Sequence, residues 1–126
     1  MAAYEVYPNF SGYGLSKLVV TQLMDYVRTE NPDVVAVAVH PGIVRTDMLK
    51  KGFEPFAHDT PELVGGLATW LAAWQGEDRK FLSGRYLSAN WDVDDLMKRK
   101  DEIVKQELLK MNLMGRFGER YFKSRI

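Results

Sequence analysis

Tyr13 and Lys17, four positions apart in the run Tyr13-Gly14-Leu15-Ser16-Lys17, have residue types and a spacing that could do chemistry. Positions four apart on a helix lie on one face, so a phenol and an ammonium would share the positive end of a helix dipole. A free tyrosine titrates at about pH 10, and a neighbouring cation favours phenolate and lowers that value. Such a pair suits a general acid/base acting on an alcohol or carbonyl oxygen. A solvated helix start could carry the same spacing: with 6 tyrosines and nine lysines in 126 residues, about 0.4 such pairs arise by chance.

A second constellation follows. Residues 34–39, Val-Val-Ala-Val-Ala-Val, are small or β-branched and do not alternate with polar residues, which suits a central parallel strand covered on both faces. They run into His40-Pro41-Gly42-Ile43-Val44-Arg45-Thr46. In open α/β sheets, ligands bind beyond the carboxyl ends of the strands. A Pro41-Gly42 turn there exposes backbone groups able to bond a planar carboxamide, and Thr46 adds a hydroxyl. An ordinary exit from a strand would look the same. His40 reads as a spacer at the strand end rather than a base.

Several elements must position these residues. Residues 4–10 read as an aromatic loop, with Ser11 as N-cap of a helix whose apolar face is Leu15, Leu18, Val19, Leu23, Tyr26 and Val27. Asn31-Pro32 ends that helix. A short helix is expected to start at Thr46-Asp47, before a mobile stretch at 50–58. Thr60-Pro61-Glu62 starts a helix that runs to about Trp74, where Gly65-Gly66 either allow close packing or weaken it; Trp70 and Trp74 form a core or interface ridge. Residues 84–89 read as a strand, Trp91-Asp92 as the lead into an acidic helix start, and 98–111 as a surface helix with Ile103, Val104, Leu108 and Leu109 on one side. The order of helices and strands predicts an α/β layer with a parallel sheet. Two strands are too few to pair the backbone of a buried strand on both edges, so a further part is expected upstream.

Composition narrows the class. The apolar fraction is 46% and the net charge zero, enough for a core and without bulk attraction to nucleic acid or an anionic membrane. Cysteine is absent and only His40 and His58 are histidines, so disulfides, thiolate chemistry and Cys- or His-rich metal sites have no support; no metal is expected. No apolar run approaches a membrane span, and the first residues lack the pattern of a secretory signal; a cytoplasmic protein fits. Residues 1–126 read as one partial domain, with 112–126 a loose basic tail.

In this order and spacing the two motifs resemble the short-chain dehydrogenase/reductase family, from about Tyr4 to Ala89. Tyr13-Gly14-Leu15-Ser16-Lys17 is similar to its Tyr-x-x-x-Lys motif. The run from Val37 through Pro41-Gly42-Ile43-Val44-Arg45-Thr46 to Met48 is similar to its strand, Pro-Gly turn and threonine. Residues 82–89 look like its last strand, and the extension at 90–96 looks like that of a fungal subgroup. The resemblance implies the C-terminal half of a Rossmann-type doubly wound parallel sheet, about two strands with three or more helices, with the first half missing. The extended sugar-nucleotide branch shares the Tyr-Lys pair, but the Pro-Gly-x-Val-x-Thr pattern and the short chain argue against it.

The resemblance also implies roles. Tyr13 would be the catalytic acid/base. Lys17 would lower the Tyr13 pKa and hold the nicotinamide ribose of NAD or NADP. The backbone around Pro41, Gly42 and Val44 would fix the carboxamide, Thr46 would bond carboxamide or pyrophosphate, and 47–58 would be the substrate loop. The partners would be a small carbonyl/alcohol substrate, neither nucleic acid nor membrane, and further copies in a homo-oligomer when full length, with the helix from Gly12 to Glu30 as the contact. The departures are as informative. No glycine-rich turn follows a strand here, and the family's catalytic serine falls at or before Met1, since Ser11 is too near Tyr13. The isolated chain is therefore expected to be inactive and prone to aggregate. The alternative is a non-catalytic fragment or a remnant that pairs with other subunits.

Overall fold

Small β-branched residues followed much later by a second short extended run favour a parallel pair closed by a long crossover, and this is what the computed structural model has. It describes residues 3–73 and 77–115. The elements are α1 (Ser11–Glu30), β1 (Val37–His40), α2 (Pro61–Ala73), β2 (Arg85–Ser88), α3 (Val93–Lys98) and α4 (Lys100–Lys105), with single 3-10 segments at Glu54–Phe56 and Glu77–Leu82. β1 and β2 pair in parallel, Val37 opposite Arg85 and His40 opposite Ser88. The described residues form a partial Rossmann-type α/β arrangement. None of their helices is long and apolar enough to cross a membrane.

The core lies under β2. Leu82, Leu87, Leu96 and Ile103 cluster there, with Val37, Trp70, Leu71, Phe81, Leu108 and Leu109 packed against them. The ordered strand at β1 is shorter than the apolar run, because 34–36 lie outside the ladder. They are still tied to it: the Ala36 N–H donates to the Ser83 hydroxyl at 3.1 Å, and the Gly84 N–H to the Ala36 carbonyl at 2.8 Å.

Several expectations need correction. Ser11 is the first residue of α1 rather than its cap; Phe10 occupies the cap position, with no side-chain hydrogen bond. The amphipathic helix itself forms as expected, with Leu15, Val19, Leu23 and Tyr26 of its apolar stripe exposed among the described residues. The helix turns Leu18, Thr21, Asp25 and Arg28 inward, a stripe at three- and four-residue spacing that reaches the start of β2. There Gly84 has φ +77°, and an added Cβ would lie 2.8 Å from both Arg28 Nε and Asp25 Oδ1. No helix starts at Thr46; residues 46–49 form a turn closed by Leu49 N–H on the Thr46 carbonyl at 2.9 Å. Among the described residues a Cβ at Gly65 or Gly66 would meet nothing within 4 Å, so no close packing is seen at either. Trp70 packs on the core, while Trp74 lies outside the described residues.

Asp92 caps α3 by accepting from the Asp94 and Asp95 N–H groups, both at 2.9 Å. The expected long helix over 98–111 is broken. α4 stops at Lys105, and Glu107 and Leu109 adopt positive φ of 52° and 63°. The chain turns back so that the Leu109 carbonyl accepts the Tyr86 N–H at 2.8 Å, covering the edge of β2 that β1 leaves open. In the expected loose tail, 112–115 are exposed, and 116–126 lie outside the described residues.

Arg85 holds this return in place. Its side chain is 5% exposed, and it donates through Nε to the Phe81 carbonyl (2.6 Å) and through a terminal nitrogen to the Leu108 carbonyl (3.0 Å). Lys110, equally buried, reaches Glu107 at 2.6 Å and Asp25 of α1 at 3.4 Å. Burial works to raise the Asp25 pKa, yet the hydrogen bond from Arg28 and the charges of Lys110 and Arg28 hold it below its usual value. Arg85→Ala should cost about 2–3 kcal/mol, the scale of buried hydrogen bonds to a charged group, and should open residues 106–111 to protease. Arg85→Lys should rescue little, since a single ammonium cannot reproduce the guanidinium fork. Urea melts and limited proteolysis of both variants check this.

Candidate functional site

The first turns of α1 carry Tyr13 and Lys17 on one face. The Lys17 ammonium lies 5.2 Å from the Tyr13 ring centroid, within cation–π range. Tyr13 is 46% exposed, and Lys17 is exposed as well. Helix hydrogen bonding supports this turn: the Ser16 hydroxyl donates to the Tyr13 carbonyl at 2.7 Å and the Thr21 hydroxyl to the Lys17 carbonyl at 3.0 Å.

A second tyrosine, Tyr86, lies on β2. It is half-buried, edge-on to Tyr4 at 5.4 Å and to Trp91 at 6.0 Å, and burial with its hydrogen bond to Tyr4 pushes its pKa well up.

The second group sits beyond the end of β1. Pro41 is exposed, Gly42, Ile43 and Val44 are half-buried, and Thr46 is exposed. Gly42 has φ +86°, a left-handed conformation that suits glycine. Val44 forms an isolated parallel bridge with Asp59, which extends the sheet direction past the turn. The Ile43 N–H donates to Asp59 Oδ2 at 2.5 Å, whereas the Val44 N–H donates to no described residue. Asp59 carries no motif; only its place before the Thr60-Pro61 helix start could have drawn notice.

No hydrogen bond or ion pair among the described residues joins Tyr13 and Lys17 to the turn. An aromatic cluster links their surroundings. Phe53, in the stretch that follows the turn, packs on Tyr7 (6.2 Å) and on Phe10 (5.8 Å), which immediately precedes α1. The Lys50 ammonium sits 4.1 Å from the Phe10 ring centroid. The stretch expected to be mobile thus carries a contact through Phe53 and a 3-10 segment at Glu54–Phe56.

Two open pockets lie elsewhere. A cavity of about 380 Å³ is lined by Trp91, Asp95, Leu96, Arg99, Ile103 and Leu109 among others, and one of about 230 Å³ by Tyr4, Thr21, Tyr86, Trp91 and 109–111. Neither includes Tyr13, Lys17 or the turn, which form open surface. Among the described residues no three His, Cys, Asp or Glu side chains gather as a metal ion would require.

Sequence comparison finds relatives that share much of this chain. The chain is 37% identical over 119 residues to the short chain dehydrogenase mpl6 of Monascus purpureus and to citE of Monascus ruber, covering 90% of this chain and 40% of each relative. It is 34% identical over 109 residues to the short chain dehydrogenase pgmD of Aspergillus terreus, covering 82% of this chain and 34% of that relative. The chain matches a C-terminal part of a short-chain dehydrogenase. It spans about 40% of the length of these curated relatives. No family model matches it, and no solved structure does.

At the end of β1, His40 rests on the Tyr86 ring at 6.4 Å and 19°. Burial pushes its pKa below the ordinary imidazole value, with Asp59 and Glu5 opposing. A depressed folded-state value means the unfolded chain binds the proton more readily. Stability from this site is whole above the unfolded imidazole pKa of about 6.5 and is lost as pH falls below it. Thermal melts from about pH 7.5 down to about pH 5 should show that loss, and His40→Gln should flatten it.

Proposed function

We propose that this chain supplies the acid/base and nicotinamide-facing part of an oxidoreductase that transfers hydride between NAD or NADP and a small carbonyl/alcohol substrate. The observation that carries the reading is the exposed Tyr13 phenol with the Lys17 ammonium 5.2 Å from its ring, on a helix of a chain similar to short chain dehydrogenases. When bound, the cofactor supplies or accepts the hydride at its nicotinamide ring. In reduction the Tyr13 hydroxyl donates its proton to the carbonyl oxygen, and in oxidation the Tyr13 oxygen takes the hydroxyl proton. Lys17 offers a positive charge 5.2 Å from the Tyr13 ring centroid and donors for ribose hydroxyls. The open Val44 N–H at the Pro41-Gly42 turn fits a carboxamide acceptor, and Thr46 adds an exposed hydroxyl nearby. The fit covers the nicotinamide end only, because the 126 residues contain no glycine-rich turn between a strand and a helix.

The chain by itself is therefore expected to give no nicotinamide-dependent turnover, and clear turnover by the purified chain would contradict this. The positive test is a chimera in which this chain replaces the matching part of the Monascus purpureus relative. A soluble chimera should oxidise NADH or NADPH with a carbonyl substrate. Tyr13→Phe should lower its kcat by about 10²–10⁴, the range of a lost general acid/base. An unchanged kcat in Tyr13→Phe would remove Tyr13 from the chemistry.

A further inference from the structure

Three hydrogen bonds meet on Asp59. Its Oδ2 accepts the Ile43 N–H at 2.5 Å, its Oδ1 accepts the Asn90 side-chain amide at 2.5 Å, and its own N–H donates to the Ile43 carbonyl at 3.3 Å. Asn90 in turn accepts from the hydroxyl of Ser88, the last residue of β2, at 3.2 Å. The two strand ends are tied directly as well, by the Ala89 N–H on the His40 carbonyl at 2.9 Å. The turn lies hard against the carboxylate: a Cβ on Gly42 would sit 2.3 Å from Asp59 Oδ2.

We infer that Asp59 is a positioning residue for the nicotinamide end of the site: by taking the Ile43 N–H and fastening the turn to β2, it leaves the next amide, that of Val44, free and fixed to meet a carboxamide. The inference rests on the oxidoreductase reading above. Bonds to an ionised acceptor are stronger than neutral ones, and Asp59 makes two, one to each side of the gap between the β1 turn and the β2 exit. A donor aimed in advance costs less ordering when a ligand arrives. The carboxylate also places negative charge beside the turn, which disfavours a ligand carboxylate in the carboxamide's place.

The test uses reduced nicotinamide mononucleotide and reduced nicotinic acid mononucleotide, which differ in carboxamide against carboxylate. Binding to the 126-residue chain is read by the fluorescence of the reduced ring, and the fold of each variant by circular dichroism. The wild-type chain should prefer the amide probe. Asp59→Ala should weaken that probe about tenfold and erase most of the preference. The exchange Asp59→Asn with Asn90→Asp, which can remake the same bonds with the partners reversed, should restore both. If Asp59→Ala weakens the two probes equally, or leaves the amide probe unchanged, Asp59 does not position the turn, although the oxidoreductase reading stands. If the double exchange folds but restores nothing, the clamp is likewise wrong. If the wild-type chain binds neither probe, the reading of the turn fails, and the inference fails with it.

Discussion

The parallel pairing of β1 with β2 is the constraint on which the other features depend. Two parallel strands cannot be joined by a tight turn, so residues 41–84 must travel from the carboxyl end of one strand to the amino end of the other. That journey carries Asp59 back alongside Val44. It also sets His40 and Ser88 side by side, so that whatever leaves the two strands leaves from one edge. The Pro41-Gly42 turn and the Asn90-Trp91 exit are neighbours for this reason alone.

A sheet of two strands leaves edges, and buried backbone groups need partners. The chain meets this on the β2 side with its own C-terminal return, where Leu109 accepts from Tyr86 and Arg85 holds the carbonyls of Phe81 and Leu108. Charged side chains thus sit deep in a small α/β body. They are tolerated because each is paired: among the described residues, no buried side-chain nitrogen or oxygen lacks a partner.

Much of this was legible in the sequence, and the failures have physical causes. The strand before Pro41, the Thr60-Pro61 helix start and the acidic start capped by Asp92 follow from local chemistry, and they occur where that chemistry puts them. The inward face of α1 could not be read this way. Periodicity marks an apolar stripe but not what the stripe meets, and here the helix lays Asp25 and Arg28 against Gly84 while Leu15, Val19 and Leu23 face out. The break after Lys105 was hidden for a related reason: helical spacing of Ile103, Val104 and Leu108 continues through a point where pairing with Tyr86 outweighs another helical turn. Tyr13 with Lys17 was visible as a spacing, and so was the turn. Asp59 was invisible, because a clamp made across 16 residues leaves no local pattern.

In the function proposed above, the exposed phenol of Tyr13 shares a nicotinamide site with the end of β1. Acetylation of tyrosines by N-acetylimidazole, mapped by mass spectrometry with and without NADH or NADPH, tests it directly. Tyr4, Tyr13 and Tyr26 are exposed and should react, whereas the half-buried Tyr86 should not. Reduced cofactor should shield Tyr13 while leaving Tyr26 as reactive as before. Modification of Tyr13 at the same rate in saturating NADH and NADPH would contradict the account.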